Sequence, residues 1–119
     1  VATQESSAHQ SFKNLIVDAT DGSTELSLKE LTPVRLLKNK FYDDIQTAYN
    51  NKASILELKE LLGRGRAKKG MFEGDLIEGE LEIGQIASSI TQVKPAARIV
   101  YEIWIDFKAS IKKLGSLTD

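Results

Sequence analysis

The chain has 119 residues, 41% hydrophobic and 28% charged, which is enough for one domain with its own core. Its net charge of −1 argues against a general nucleic-acid binder, and its apolar runs are too short to span a membrane. The absence of Cys excludes a disulfide scaffold, a thiolate nucleophile and a Cys-ligated zinc site, and a single His excludes multi-His metal sites.

The N-terminal region predicts one helix. The sequence starts at Val1 without a basic or apolar leader, so we expect a processed chain or a piece of a longer reading frame. Without a leader or Cys, a cytoplasmic location is the default expectation. Ser6 and Ser7 are candidate N-caps of a helix over residues 6–19, which ends before the turn dipeptide Asp21-Gly22.

The next segment predicts a short hairpin followed by two helices. Apolar and polar residues alternate on both sides of Thr32-Pro33, which indicates two strands. A stripe over residues 41–49 predicts the first helix. Ser54 and Glu57 have the spacing of a capping box for the second helix, and Gly63 is suited to end it.

The remaining sequence divides into a glycine-rich segment and a C-terminal helix. Residues 63–84 contain six glycines and a basic block followed by an acidic block, which predicts a long functional or mobile loop. A short helix is expected over residues 83–91. After Pro95, apolar residues at helical spacing predict an amphipathic helix, with Trp104 and Phe107 in its core or at an interface.

Four features carry candidate chemistry, each with a structural alternative. His9 follows Glu5 by four residues and could share its helix face, or be a surface histidine. The basic block at residues 64–69 could bind phosphate, or be a solvated loop. The acidic run at residues 73–82 could bind a hard cation, although it lacks the spacing of a calcium loop, or be a charged surface stretch. Gly84 and Gln85 could address the polar edge of a planar cofactor, or begin a helix.

Several stretches together resemble the C-terminal third of nitronate monooxygenases, formerly called 2-nitropropane dioxygenases, and of the related flavin-type enoyl-acyl-carrier-protein reductases. In chain order, the matching stretches are Glu5-Ser6-Ser7-Ala8-His9, Thr32-Pro33-Val34-Arg35-Leu36-Leu37-Lys38-Asn39, Gly70-Met71-Phe72-Glu73-Gly74-Asp75 and Gly84-Gln85-Ile86-Ala87. They cover nearly the whole chain. The family often has Gly where this sequence has Ser88.

The resemblance implies a mainly α chain with a short β-hairpin, a single domain over residues 1–119 that follows an FMN-binding TIM barrel. Val1-Ala2-Thr3 is similar to the tail of the barrel strand that comes after the flavin phosphate loops. The flavin phosphate glycines and the catalytic base of the family would lie upstream, so no catalytic residue is assigned here, and no metal ligand. By resemblance, Gly84 and Gln85 lie at the flavin, and Glu5, Ser6 and His9 border the substrate pocket.

We therefore expect the C-terminal portion of an FMN-dependent oxidoreductase of nitronate monooxygenase type, inactive and without tight FMN binding when alone. Its partners would be the upstream barrel and a second copy, with no nucleic acid and no membrane. The alternative is a stand-alone helical interaction module without catalysis. A phosphate-binding role for residues 64–69 is a third, minor reading.

Overall fold

A computed structural model describes residues 1–117 as a mainly helical chain with one antiparallel hairpin, which confirms the predicted secondary-structure class. The elements in chain order are α1 (Gln10–Val17), β1 (Thr24–Ser27), β2 (Val34–Leu37), α2 (Lys40–Asn50), α3 (Ile55–Leu62), a π-helical turn (Lys68–Phe72), a 3₁₀ turn (Gln85–Ser89) and α4 (Ala96–Gly115).

Part of the glycine-rich segment pairs with the free edge of the hairpin. β1 and β2 pair with Thr24 opposite Leu37 and Ser27 opposite Val34. On the other edge of β2, the Leu37 amide donates to the Leu81 carbonyl at 3.0 Å, and the Ile83 amide donates to the Arg35 carbonyl at 3.1 Å. Residues 81–83 therefore cover an edge that would otherwise present unpaired backbone groups, and they fix the position of Gly84 immediately after them.

The ends of α3 follow the predicted signals, whereas the start of α1 does not. The capping box of Ser54 and Glu57 is present, and Gly63 ends α3 at φ 63°. Helix α1 begins at Gln10, four residues later than predicted, and its cap is His9, whose Nδ1 accepts from the Ser11 amide at 3.2 Å. The prediction of Ser6 or Ser7 as cap is wrong, because the Ser6 hydroxyl instead accepts from the Ala8 amide within the preceding turn.

Two apolar clusters form the core. The first joins α1 to β2, residue 81 and the 3₁₀ turn through six buried residues: Ala8, Phe12, Ile16, Leu37, Leu81 and Ala87. The second lies between the hairpin and α2 and contains Leu28, Leu36, Phe41 and Ile45. The neighbours Leu36 and Leu37 belong to different clusters, since successive strand residues point to opposite faces, so β2 links the two.

The glycine-rich segment packs into the body of the fold instead of forming a loose loop. Gly70 and Gly79 are both buried, and a Cβ on Gly79 would overlap the backbone of Gly70. The Arg66 guanidinium lies 4.5 Å above the Phe41 ring, and its Nη1 donates to the Glu78 carbonyl at 2.8 Å. The segment therefore packs closely where a loose loop was expected, because its glycines permit close approach of the backbone.

Helix α4 extends away from this body. None of its residues is buried, and the radius of gyration of the chain is 18.2 Å, against about 13–14 Å for a compact chain of this length. Trp104 and Phe107 stack with ring centroids 5.6 Å apart, and both are about half exposed. The stripe that contains them is thus not part of a core within residues 1–117. No helix in that range is long and apolar enough to cross a membrane.

Candidate functional site

Gly84 and Gln85 lie on the surface at the start of the 3₁₀ turn. Gly84 caps this turn with an extended backbone, and the space where its Cβ would lie contains no atom within 4 Å. Gln85 is exposed, and its side-chain amide has no hydrogen-bond partner among residues 1–117. The pair therefore offers an accessible backbone and a free amide with both donor and acceptor atoms, the chemistry needed to bind the edge of a planar ring.

The segment from Gln4 to His9 connects the N-terminal bridge to α1, and three separate elements anchor it. The Gln4 amide donates to the Lys94 carbonyl at 3.0 Å, just before α4. The His9 amide donates to the Met71 carbonyl at 2.8 Å, in the π-helical turn. Lys13 of α1 provides the third anchor, through its side chain. Parts of the chain far apart in sequence thus hold the predicted pocket residues in place.

Glu5 caps the N-terminus of α4 across 91 residues of sequence. Its Oε2 accepts from the Ala96 amide at 2.9 Å, and this bond is the main reason why the pKa of Glu5 is lowered. Pro95, which precedes the helix, offers no capping side chain, so the carboxylate supplies both an acceptor and a charge that suits the helix dipole. The prediction that Glu5 and His9 share a helix face is wrong, because α1 starts after both residues.

His9 has a structural task that sequence reasoning did not assign to it. Its ring caps α1 and lies against Gly74, where a Cβ would overlap the imidazole. Gly74 has φ +84°, so both its conformation and its contact with His9 favour glycine.

Lys13, which contacts the segment predicted to border the pocket, is a residue that the sequence analysis missed. It is only 4% exposed, and its Nζ donates to the Ser6 carbonyl at 2.7 Å and to the Gln4 carbonyl at 3.3 Å. Its position between Phe12 and Ile16, which are both fully buried in α1, could have suggested that Lys13 is buried too. A buried lysine needs polar partners, so this position could also have predicted its contacts.

The two predicted halves of the site meet through the core but do not touch directly. Ala8, next to His9, and Ala87, two residues after Gln85, belong to the same buried cluster. No hydrogen bond or ion pair joins Glu5, Ser6 or His9 to Gly84 or Gln85 in the described chain. The structure thus places both halves around the same cluster, with no interaction that tests their predicted roles.

The other charged candidates are mostly engaged in local structure. Arg66 is committed to backbone carbonyls, while Lys69 pairs with Asp75 at 3.0 Å and Lys68 with Glu73 at 3.2 Å. This leaves Arg64 as the one cation of the basic block without a partner in residues 1–117. No group of three or more acidic, His or Cys side chains in that range could hold a metal ion.

Comparison with solved structures shows that this fold is similar to part of a longer protein. The chain is similar to FabK from Thermotoga maritima, with 30% sequence identity and a TM-score of 0.84 over 98% of this chain and 37% of that one. The M276A mutant of the same protein matches with 31% identity, a TM-score of 0.79 and coverage of 98% and 34%. The chain therefore spans about a third of the length of FabK. No family model matches the chain, and no curated protein does.

Proposed function

We propose that the chain acts as the C-terminal portion of an FMN-dependent oxidoreductase, in which it forms one wall of the flavin and substrate pocket. The observation that carries this proposal is the similarity to FabK over 98% of the chain. FabK is a flavin-dependent enoyl-acyl-carrier-protein reductase, one of the two groups that the sequence motifs resemble. The similarity to FabK favours enoyl reduction as the reaction of the whole enzyme. Nitronate oxidation is the alternative reaction that the sequence motifs suggest.

The residues present fit one part of FMN and not another. The exposed amide of Gln85 and the open backbone of Gly84 suit the ring edge. A strand, glycine loop and helix that would hold the phosphate do not occur in residues 1–117. FMN would carry the electrons of either reaction, while this chain would orient the ring through Gln85 and shape the pocket through the anchored segment of Glu5, Ser6 and His9.

The position of α4 also supports the proposal. An isolated parallel bridge joins Thr3 to Lys94, so α4 begins beside the residues that resemble the end of a barrel strand. In a TIM barrel each strand is followed by a helix that covers the strands from outside. We therefore propose that the exposed apolar stripe of α4 would pack on the barrel portion.

A chimera tests this function. The matching third of Thermotoga maritima FabK is replaced by this chain, and FMN content is measured after purification. We expect bound flavin, and we expect Gln85→Ala to shift the flavin absorbance spectrum or lower the FMN content, while the control Gln46→Ala, on α2, does neither. A folded chimera without FMN would contradict the proposal, as would stoichiometric FMN on the isolated chain. Assays with an enoyl thioester and an alkyl nitronate then separate the two reactions.

A stand-alone helical interaction module is the second candidate, and the exposed stripe of α4 is the observation that favours it. The FMN content of the chimera distinguishes the two candidate functions. An interaction module would bind its partner without flavin, and the chimera that contains it would bind no FMN.

A further inference from the structure

The anchored segment before α1 depends on one buried cation. Lys13 is the only lysine or arginine among the buried residues of the described chain. Burial of an ammonium group is costly unless it is hydrogen-bonded or paired. No carboxylate lies within ion-pair distance of Lys13 in residues 1–117, and its hydrogen-bond partners in that range are two backbone carbonyls. Two hydrogen bonds to one short turn therefore offset the free-energy cost of burying this charge.

Those two carbonyls belong to Gln4 and Ser6, on either side of Glu5. An ammonium that draws both carbonyls inward fixes the backbone of the turn and leaves the Glu5 side chain on the outside, where it reaches the Ala96 amide. The Ala96 hydrogen bond is the main cause that lowers the pKa of Glu5, and the positive charge of Lys13 is the smallest of the causes. Lys13 therefore acts on this turn chiefly through its geometry.

We propose that Lys13 is a positioning residue for the pocket wall: its ammonium holds the Gln4–Ser6 turn so that the Glu5 carboxylate stays on the start of α4 and Ser6 keeps its place. The inference depends on the proposed function only where it calls this segment a pocket wall. The arrangement itself consists of two hydrogen bonds from Lys13 to backbone carbonyls and one hydrogen bond between the Glu5 carboxylate and the start of α4. It can be tested without flavin.

Three variants of the full chain carry the test, with amide hydrogen exchange as the readout. Lys13→Met keeps the apolar stem and removes the donors, Lys13→Arg keeps a cation, and Lys69→Met is the matched control that removes an exposed, ion-paired lysine. In Lys13→Met we expect the Gln4 and Ala96 amides to exchange about fivefold faster or more, as for loss of a capping interaction. Amides of α2 should be unchanged. Lys13→Arg should restore part of the protection.

A second readout separates positioning from mere support of the fold. The titration of the Glu5 carboxyl, followed by carbon NMR, should move upward toward its ordinary value in Lys13→Met and stay in place in Lys69→Met. Unchanged exchange at Gln4 and Ala96 would overturn the inference. So would faster exchange spread equally over all helices, because that result would assign Lys13 a purely structural role.

If Lys13→Met does not fold, the wild-type chain decides. A slowly exchanging Lys13 ammonium signal with through-space contacts to residues 4–6 supports the inference, and an ammonium that exchanges as fast as that of exposed lysines overturns it. A FabK chimera that binds no FMN would contradict the proposed function and leave these results unaffected.

Discussion

In the isolated chain, the exposed stripe of α4 should pair with a second copy. Six large side chains fall within about 100° of the helix circumference at 100° per residue: Val100, Ile103, Trp104, Phe107, Ile111 and Leu114. Each is between half and two thirds exposed, so at roughly 100 Å² per side chain the stripe presents on the order of 600 Å². Two copies would bury about 1,200 Å², the lower end of the range for stable interfaces.

An antiparallel pairing fits the charges beside the stripe. Lys108, Lys112 and Lys113 lie in the C-terminal half of α4, whereas Glu102, nearer its N-terminus, is paired with Lys94 and Arg98. Antiparallel helices keep the three lysines of one copy away from those of the other and oppose the helix dipoles favourably, whereas parallel helices would bring the lysines together.

Trp104→Ala is the informative perturbation. An anchor residue of this kind contributes about 2 kcal/mol when it is central, and it occurs twice in a two-fold dimer. The pair should therefore lose about 4 kcal/mol, close to a thousandfold in Kd. Sedimentation equilibrium at tens of micromolar measures this, with Leu56→Ala on α3 as control, since Leu56 is similarly exposed outside α4. A monomeric wild-type chain, or equal weakening by the control, would refute the reasoning.

Three further predictions concern the glycine-rich segment. Gly79→Ala should cost about 2 kcal/mol or more in the free energy of unfolding, because its Cβ would overlap the Gly70 backbone, whereas Gly84→Ala should be tolerated; equal denaturation midpoints would contradict this. Burial and the nearby charge of Glu82 raise the pKa of Glu80, so Glu80→Gln should stabilise the chain by about 1 kcal/mol at pH 7 and lose that advantage below pH 4 in thermal melts. Two backbone amides and Lys69 lower the pKa of Asp75 to about 2, so its contribution is complete above 3.8 and lost as the pH falls toward 2. The stability deficit of Asp75→Asn should shrink over that interval, and a deficit independent of pH would refute the assignment.

Local signals account for what the sequence predicted correctly. The hairpin on both sides of Pro33, the capping box of Ser54 and Glu57, and the start of α4 after Pro95 each depend on residues within a few positions of one another. Such signals act through backbone conformation and nearby hydrogen bonds, so they operate largely independently of the rest of the fold.

The errors come from partners distant in sequence. Glu5 lies before α1, and its carboxylate accepts from the Ala96 amide at the start of α4, a bond across 91 residues that periodicity does not reveal. The glycine-rich segment reads as a loop because glycine penalises isolated helices. Its packing depends on Gly70 meeting Gly79 and on residues 81–83 pairing with β2, both of which are tertiary contacts.

The same limit applies to the candidate site. Gly84 and Gln85 could be chosen from residue chemistry and family resemblance, whereas Lys13 is identified only by its burial and by the carbonyls around its ammonium. An α1 helix with a lysine between two core residues has the same sequence pattern whether that lysine reaches solvent or bends into a turn.

The contact between Thr3 and Lys94 has a consequence for how this region can be exchanged between proteins. The two ends of the segment 4–93 lie next to each other, because the residues that flank it, Thr3 and Lys94, form a parallel bridge. A unit whose ends meet can be transplanted as a cassette, because a short linker from Thr3 to Lys94 would close the gap without moving α4. Grafting this cassette alone would transfer its surface residues to a new scaffold while the host keeps its own strand and helix.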